Sequence, residues 1–435
     1  MKLIERNRLA CLLKTYRNGK EINRAMKDET MSVIGQSMFN FQAALKQSGS
    51  SLEEYLGKYY YNKWMGETLY AAMSLRTTFV TAMHQFLADE GLFNLERIQM
   101  SSVTDPLAHD VEHTPNVHYK GQLYVMTHSM IYSKFLACHN PKIKGVFVDS
   151  PNIRLEIESP DRVQRGKYLI DFSQMDIEVR RNRGIDLETY LKEPDQVKQV
   201  LAEDMEKAMD FFERLIIHAM GKIAENNEDD LKTLGVAIEV PKQPFPRFKC
   251  DASRRKYGPG FEVKLGEETA SPFFWVTGLL RENYDLVYPY LRPEGKLPLS
   301  EVNSDMVYNY DICAKSIVRD TGKQTPALEI LSGAVREWIY EAIVERLLDN
   351  GILPARPVIF EGNIKNIDEF GGYGPFLMMA ARKDAQGRQT FPDTFGGGIG
   401  VERTLYAISR GPMLEKIDDI TCFGKNPDSH QLYMF

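Results

Sequence analysis

An α+β domain built on an antiparallel sheet is the fold class that this sequence predicts, and two observations predict it. Between Leu169 and Val179 successive residues alternate in character with period two, which is the pattern of a strand. An apolar stripe at residues 194–225 is the strongest helical pattern in the chain, and strands precede helices without regular strand–helix–strand alternation. We therefore expect helices packed on a largely antiparallel sheet.

The N-terminal part of the chain indicates helices. Residues 1–75 show no strand alternation, and Ser51 followed by Glu54 resembles a helix-capping start. From residue 75 apolar side chains recur at helical spacing until Gly91, and glycine commonly follows a helix end. The expected organisation is a helical N-terminal extension, a large second domain and a helical insertion within that domain, at residues 1–75, 76–435 and around 185–245.

Composition excludes several classes of protein. The chain has 435 residues, 43% of them apolar, and a net charge of −6, which argues against a protein that mainly grips a phosphate backbone. We see neither an apolar run of 18 residues nor a secretory signal, so we expect a cytoplasmic protein without a membrane span. Five scattered cysteines without a C-x-x-C pair argue against a disulfide framework and a cysteine zinc site.

The stretch "PDTFGGGIGVERTLYAI", residues 392–408, indicates a glycine-dense strand that passes into a helix. Its glycine spacing fits neither common phosphate-binding loop. One interpretation is that glycines such as Gly398 and Gly400 clear space for a flat ring, while Arg403 reaches the phosphates of the same nucleotide. The alternative is a tight packing corner with a surface arginine.

A hairpin with a basic loop forms the second candidate element. Arg154 and Glu156 alternate on one apparent strand and therefore share a face. The next strand carries Phe172, so an arginine and an aromatic ring are placed to sandwich a base. Polar residues share the strand face of Phe172, so this face is poorly suited to a hydrophobic core and well suited to form the floor of a binding site. These residues are Gln174, Asp176 and Glu178. The loop between the strands can fold over phosphates, and its basic residues are Arg162, Arg165 and Lys167. A surface hairpin with solvated charges is the alternative.

Carboxylates and an arginine on a third segment are candidates for metal and substrate binding. Glu329, in "LEILSGAVRE", is a candidate Mg²⁺ ligand, with Asp311 as a possible second carboxylate. Arg336, after an expected turn at Ser332–Gly333, could offer a fork to a substrate carboxylate. Three histidines fit no zinc spacing, and we favour a loop over the site there; they are His109, His113 and His118.

Taken together, these segments resemble the motifs of class II aminoacyl-tRNA synthetases, and among them the aspartyl/asparaginyl subgroup. The motif-like stretches are "RTTFVTAMHQFLADEGLFNLERI", "NIRLEIE…YLIDFSQMDIEV", "LEILSGAVRE" and "FGGGIGVERTLYAI". Their order is specific, and the resemblance covers roughly residues 75–435. The ammonia-dependent asparagine synthetase, a tRNA-independent relative, shares the fold and a similar glycine-rich motif. The resemblance implies the class II antiparallel sheet flanked by helices and a homodimer formed through the first motif, whose apolar stripe we expect to need a partner.

The resemblance also implies roles around ATP. Arg154 would touch the α-phosphate and the acyl carboxylate, and Glu156 would contact the adenine amino group. Phe172 and Arg403 would stack on opposite faces of adenine, with Arg403 near the γ-phosphate. Glu329, with Asp311, would hold Mg²⁺. The remaining ATP-binding residues implied are Arg165, Lys167, Gly398 and Gly400.

On the amino-acid side the resemblance implies that Arg336 binds the side chain of an aspartate-like substrate. The segment "THSMIYSK" departs from the subgroup's pattern, because a methionine replaces a glutamine and Ser133 replaces the lysine expected near the substrate. Lys134 is one step away, and we expect it to point elsewhere. The residues expected to line this pocket are Ser129, Met130, Ser133 and Gln174.

These features predict an ATP-dependent, AMP-forming ligase that activates an aspartate-like carboxylate and transfers it to ammonia or another amine. Positioning and charge neutralisation by Arg154, Arg403 and Mg²⁺ would suffice for in-line attack on the α-phosphorus. The acidic charge, the altered pocket and the absence of an apparent anticodon-reading barrel favour activity without tRNA. The alternatives are an asparaginyl- or aspartyl-type aminoacyl-tRNA ligase, and a non-catalytic paralogue that senses an amino acid or binds RNA. The complete ATP-binding set counts against the paralogue.

Overall fold

The chain divides into two compact units, of which the larger comprises residues 67–117 and 124–427. The structure, a computed structural model, describes residues 61–103, 115–155, 166–181, 183–280 and 285–424, together with residues 46, 49, 51, 53 and 54. In the smaller unit the Ser51 N–H donates to Glu54 and the Glu54 N–H donates to the Ser51 hydroxyl, which is the predicted cap. A short helix, Asn62–Trp64, follows. The predicted helical extension otherwise lies outside the described residues.

An eight-stranded sheet organises the larger unit. Its strands in chain order are β1 (Phe93–Asn94), β2 (Gly145–Ile153), β3 (Asp171–Arg180), β4 (Arg247–Lys249), β5 (Phe273–Thr277), β6 (Asn309–Ala314), β7 (Leu328–Val335) and β8 (Thr394–Gly400). The order across the sheet is β1–β2–β3–β8–β7–β6–β5–β4. Neighbours are antiparallel except β1–β2 and β4–β5 at the two edges. The predicted α+β class is confirmed, with parallel pairing confined to short edge strands.

Helices flank this sheet. They are α1 (Glu67–Asp89), α2 (Ile131–Ala137), α3 (Leu187–Lys192), α4 (Pro194–Asn226), α5 (Glu228–Thr233), α6 (Cys250–Tyr257), α7 (Phe261–Glu268), α8 (Tyr340–Asp349), α9 (Tyr373–Ala381) and α10 (Val401–Ser409). Short strands outside the main sheet are Met100–Ser101, Asn116–Tyr119, Gln122–Met126, Val236–Ala237, Leu291–Arg292, Gly295–Lys296, Ile317–Val318, Ile359–Phe360 and Asn363–Ile364. Among the helices of the described ranges, none is both long and apolar enough to cross a membrane.

One face of the sheet is apolar and packs on α1 and α4. Met175 and Ile177 of β3 are fully buried on this face. From α4, Phe211 lies edge-on to Phe395 at 6.1 Å between ring centroids. Burial of the α4 stripe explains why its periodicity is the strongest helical signal in the sequence, and the helix predicted at 194–225 is confirmed.

Helix α1 begins earlier than its predicted start. Leu69 and Ala72 already belong to its buried stripe, so the boundary expected at residue 75 falls inside the helix. Gly91 follows the helix end with φ 80°, which fits its predicted role as a stop. The stripe packs on α4 of the same chain. The expectation that this stripe needs a second chain to cover it is therefore wrong.

The other face of the sheet is polar at its centre. In the register of β3 and β8, Gln174 lies opposite Gly400, Asp176 opposite Gly398 and Glu178 opposite Gly396. Directly opposed residues share a face, so these polar side chains lie over the glycines. Toward β5 and β6 the face is covered by a small apolar core under α6 and α7, made of Cys250, Phe261, Leu265, Phe274, Val276, Cys313 and Ala327. The centre, formed by β3, β8 and β7, is the floor of the candidate site.

Strand β7 corrects one prediction about this floor. No turn occurs at Ser332–Gly333, because Gly333 pairs with Tyr310 on one side and Gly397 on the other. A side chain at Gly333 would collide with the Tyr310 ring and with the Gly396 carbonyl, at 2.5 Å. The glycine therefore permits close strand packing, and the strand continues to Val335, immediately before Arg336.

Candidate functional site

An arginine stacks on an aromatic ring at the end of the β2–β3 hairpin. Arg154 follows β2, and its backbone N–H donates to the carbonyl of Ile170 at 2.9 Å. Its guanidinium lies 5.2 Å from the centroid of the Phe172 ring. The Nε and Nη2 atoms donate to the carbonyl of His128 at 3.2 and 3.0 Å. The predicted hairpin is present, and it brings Arg154 and Phe172 together; Glu156, Arg162 and Arg165 lie outside the described residues.

A second arginine lies beside this pair in the first turn of α10. The Arg403 Nη1 atom is 3.6 Å from Oε1 of Glu329, and the two side chains are 29% and 42% exposed. The Arg403 guanidinium also lies 5.4 Å from the Tyr168 ring, and Lys167 contacts the same ring at 5.3 Å. A half-exposed cation beside a ring can exchange these contacts for a nucleotide phosphate or base.

The start of α10, which carries Arg403, is joined to the rest of the site through Glu402, a residue that the sequence analysis did not single out. Glu402, on the same turn, is buried and accepts a bond from Arg76 Nη1 at 2.8 Å. Its other oxygen accepts the backbone N–H of Ser173 at 2.9 Å. These bonds join α10 to α1 and β3. The adjacent charges in "VER" were the available signal, because a carboxylate next to an exposed arginine at a helix start often has a structural role.

The predicted metal ligands lie on one face but in different surroundings. Glu329 is opposite Cys313, whereas Asp311 is opposite Ser332 and is 4% exposed. Within the described ranges there is no group of three or more histidine, cysteine, aspartate or glutamate residues suited to a metal. Mg²⁺ bound through nucleotide phosphates requires only one or two protein carboxylates, and the exposed Glu329 fits that need.

The other end of the floor holds a buried ionic cluster. Lys134, on α2, places Nζ 2.9 Å from Asp176 Oδ1 and 3.8 Å from Glu178 Oε2. All three residues are at most 2% exposed. The expectation that Lys134 points away from the site is therefore wrong, since α2 turns this residue toward the sheet and leaves Ser133 partly exposed.

Arg336 belongs to the same cluster. Its Nε atom is 3.3 Å from Glu178 Oε1, and its Nη1 atom is 3.3 Å from Asp285 Oδ1. Asp285 also accepts a bond from Asn309 at 2.7 Å. The Arg336 guanidinium, which we expected to bind a substrate carboxylate, thus lies within the site. It is held there by two carboxylates of the chain. Sequence patterns had marked Glu178 as a floor residue, whereas no pattern marked Asp285, which comes from an irregular segment.

The glycines of β8 make room for the floor. A Cβ at Gly396 would collide with the Glu178 carboxylate, and one at Gly398 would collide with the Gln174 carboxamide. At Gly400 the nearest atom would be 3.5 Å away. Gly398 therefore accommodates a side chain of the same sheet, whereas at Gly400 an added Cβ would make only ordinary van der Waals contacts.

The segment before α2 lies against the Arg154 end of the floor, since Arg154 donates to the carbonyl of His128. Met130 and His128 are each 2% exposed, and Ser129 is partly exposed. Burial, with a smaller contribution from the Arg154 charge, lowers the pKa of His128 to about 4. The imidazole is therefore uncharged near neutral pH and adds no second cation beside Arg154.

The two groups of residues lie at opposite ends of the same three strands. On β3 the series runs from Phe172 to Glu178, and on β7 it runs from Glu329 to the residue after the strand, Arg336. Six residues of strand span about 20 Å. The floor therefore carries an arginine and an aromatic ring at one end and a buried ionic cluster at the other.

Curated relatives match part of this chain. The aspartate–tRNA(Asp) ligase of Thermococcus kodakarensis is 31% identical over 180 residues, which are 40% of this chain and 39% of that protein. The aspartate–tRNA(Asp/Asn) ligase of Methanopyrus kandleri is 21% identical over 358 residues, 82% of this chain and 68% of that protein. The chain thus spans 39% of the length of the first relative. No protein-family model matches the chain.

Solved structures share the fold. Asparaginyl-tRNA synthetase from Pyrococcus horikoshii, complexed with asparaginyl-adenylate, has a TM-score of 0.59 at 16% identity and covers 84% of this chain and 70% of that one. Aspartyl tRNA synthetase from Entamoeba histolytica has a TM-score of 0.52 at 18% identity and covers 83% and 59%. At these identities the likeness establishes the class II synthetase fold.

The comparisons confirm the resemblance to the aspartyl/asparaginyl subgroup, and the curated relatives are named as ligases. They also contradict two predictions. These relatives are named for tRNA as the acceptor, so the preferred prediction of tRNA-independent amide synthesis is wrong. The expectation that tRNA is an unlikely partner is wrong for the same reason.

Proposed function

We propose that this chain is an aminoacyl-tRNA ligase of the aspartyl/asparaginyl type that forms an aminoacyl-adenylate from ATP and transfers the acyl group to tRNA. The observation that carries the proposal is the polar sheet face, with Arg154, Phe172 and Arg403 at one end and the cluster of Lys134 and Arg336 at the other. ATP would lie at the first end and the amino acid at the second. The names of the relatives support the acceptor.

In the first step a carboxylate oxygen of the amino acid attacks the α-phosphorus of ATP, and pyrophosphate leaves. Arg154 would hold the α-phosphate and the attacking carboxylate together, which would orient them for reaction. Arg403 neutralises charge that develops on the departing phosphates. Mg²⁺, bound through Glu329, would supply further charge neutralisation at the phosphates. In the second step a terminal ribose hydroxyl of tRNA attacks the acyl carbonyl and AMP leaves.

The acidic net charge misled the prediction about tRNA for a physical reason. Net charge is a sum over all residues, so it does not show whether exposed cations are grouped on one part of the surface. Buried carboxylates hardly change this sum, because the cations that pair with them offset their charge; Asp204, for example, pairs with Arg181 and Arg183. An RNA acceptor end approaches exposed cations, and exposed Arg254 and Arg255 on α6 are among them.

Two assays test the proposal together. Incubation with ATP, total tRNA and radiolabelled asparagine or aspartate is expected to give acid-precipitable, alkali-labile label, and ATP–pyrophosphate exchange is expected with the same amino acid. Arg154→Ala is expected to abolish both, while the exposed-site control Lys192→Ala keeps both. Exchange without label on any tRNA would contradict the proposed acceptor. A Mg²⁺ requirement, a homodimer and a cytoplasmic location are further parts of the proposal.

A further inference from the structure

A buried carboxylate joins three elements at the nucleotide end of the floor. Glu402 lies in the first turn of α10, and its side chain is 8% exposed. Its Oε1 atom accepts from Arg76 Nη1 of α1 at 2.8 Å, and its Oε2 atom accepts from the backbone N–H of Ser173 in β3 at 2.9 Å. The Arg76 Nη2 atom donates to the Ser173 hydroxyl at 3.3 Å. The three residues therefore contact one another in a closed set, which we call the Glu402 network.

The Glu402 side chain takes over where strand β8 ends. The last residue of β8, Gly400, pairs with Gln174 of β3, and the chain then passes into α10. Ser173 lies one residue beyond that pair, so β8 offers no paired residue opposite it. A backbone N–H that is shielded from water needs an acceptor, and the Glu402 carboxylate supplies one in place of a strand carbonyl.

The network lies behind the residues that would contact ATP. Ser173 follows Phe172, and successive side chains of a strand point to opposite faces. Phe172 therefore faces the floor, whereas Ser173 faces α1 and receives its bond from Arg76 there. Glu402 likewise directly precedes Arg403 on α10. The bond between Glu402 and Ser173 thus joins the immediate neighbours of the aromatic ring and the arginine at the nucleotide end.

We infer that Glu402 is a positioning residue for the nucleotide: by holding Ser173 and Arg76 it fixes the separation between Phe172 and Arg403, and so sets the affinity for ATP. The inference rests on the proposed function, since it names how that same site keeps its binding geometry. Arg76 is the second positioning residue, because its guanidinium contacts both other members of the network. Both residues act through Phe172 and Arg403 rather than by touching a substrate.

The primary test is the dependence of ATP–pyrophosphate exchange on ATP and on the amino acid. Glu402→Gln keeps the shape of the side chain, but it removes the charge that holds Arg76 and turns one of the two acceptors into a donor. We expect the KM for ATP to rise about 10-fold, because small displacements of binding groups are costly, while the KM for the amino acid stays that of the wild type. A role in stability alone would lower the folded fraction, and hence the apparent kcat, and would leave the KM for ATP unchanged. That result would overturn the inference.

Arg76→Gln tests the same network from the side of α1, at a side chain that is 37% exposed and therefore tolerates substitution better. It is expected to raise the KM for ATP as Glu402→Gln does, and Arg76→Lys, which keeps the charge, is expected to recover part of the affinity. The double variant Glu402→Gln with Arg76→Gln is expected to raise the KM no further than the larger single effect, because the two residues act through one contact. Additive effects would show that they act independently and would contradict the network.

Arg214→Gln is the matched control. The Arg214 side chain is 38% exposed and pairs with Glu90, just after the end of α1, so it forms an ion pair of similar exposure away from the nucleotide end. The KM for ATP of this variant is expected to equal that of the wild type. A rise as large as that of Arg76→Gln would mean that the KM responds to any weakening around α1, and would overturn the assignment.

Binding of a non-hydrolysable ATP analogue, measured by calorimetry, separates this inference from the proposed function because it needs neither turnover nor tRNA. Weaker binding by the Glu402 and Arg76 variants supports the inference even if no tRNA is charged, and that combination counts against the ligase alone. Unchanged binding by both variants overturns the inference and leaves the proposed ligase in place. A wild type that does not bind the analogue overturns both. If Glu402→Gln does not fold, the Arg76 variants decide alone.

Discussion

The Nζ atom of Lys134 lies 2.9 Å from Oδ1 of Asp176, and this buried pair joins helix α2 to the centre of strand β3. The contact connects residues 42 positions apart, so the candidate amino-acid end exists only when the hairpin β2–β3 and α2 are packed together. It also brings a full positive charge to a sheet face that the sequence pattern marked only as polar.

The first prediction concerns the effect on stability of removing the Lys134 ammonium group. Lys134→Met keeps much of the side-chain volume but leaves Asp176 buried without its cation, and we expect a loss of about 3–5 kcal/mol in the free energy of unfolding. Urea denaturation measures it. Lys192→Met, which breaks an exposed pair with Glu188, is the control and is expected to leave the free energy of unfolding nearly unchanged. Equal effects of the two substitutions would contradict the buried pairing.

Arg403 is predicted to bind ATP. Arg403→Ala removes a cation that can contact both a base and a phosphate, and we expect a loss of about 2 kcal/mol in binding free energy. Calorimetry with a non-hydrolysable ATP analogue measures the change. Arg388→Ala, at an exposed arginine bound to Asp384, is the control with unchanged affinity. An unaltered Kd in a folded Arg403 variant would remove Arg403 from the nucleotide end.

Substitution by alanine is predicted to change the stability of the protein in opposite directions at two glycines. A Cβ at Gly333 meets the buried Tyr310 ring and strand backbone, so Gly333→Ala is expected to destabilise the protein by about 1–3 kcal/mol. At Gly221, inside α4, no heavy atom lies within 4 Å of the added Cβ. Gly221→Ala is therefore expected to stabilise by about 0.5–1 kcal/mol. Thermal unfolding distinguishes the signs, and a stable Gly333 variant would mean that the strands are spaced more widely.

Stability is predicted to fall in acid partly through His128. Its pKa is lowered to about 4 in the folded protein, so between pH 6.5 and 4 the unfolded chain takes up a proton that the folded chain excludes. This contribution is fully present above pH 6.5 and is lost as the pH falls, by at most about 3 kcal/mol. His128→Phe is expected to flatten the unfolding free energy across this window. Parallel pH profiles for the variant and the wild type would show that this residue has no such role.

The homodimer is predicted to use the outer surface of α1, since the inner stripe is covered by α4. Tyr70 and Met73 are 69% and 46% exposed on this helix. The double change Tyr70→Glu and Met73→Glu is expected to give a monomer by light scattering, because charges oppose burial of that surface. Met413→Glu, at an exposed methionine elsewhere, is the control. A monomeric wild type at micromolar concentration would rule out the dimer.

Much of the framework followed from local patterns. The alternation at residues 169–179 identifies β3 and its polar face, because successive side chains of any strand point to opposite sides. The apolar stripe of α4 and the strand-to-helix junction at Gly400 are likewise local features. The family resemblance follows from the order of short motifs, each of which keeps its own geometry.

Tertiary packing decided what those residues contact. In a helix one residue step rotates a side chain by about 100°, so sequence position alone did not show whether Ser133 or Lys134 faces the sheet. Asp285 reaches Arg336 from an irregular segment, which carries no periodic signal. The acceptor preference was misjudged because net charge does not show how exposed cations are distributed over the surface. The chain's own sequence therefore determined its strands, main helices and motif order, whereas the charge state of the pocket depended on contacts between segments far apart in the chain.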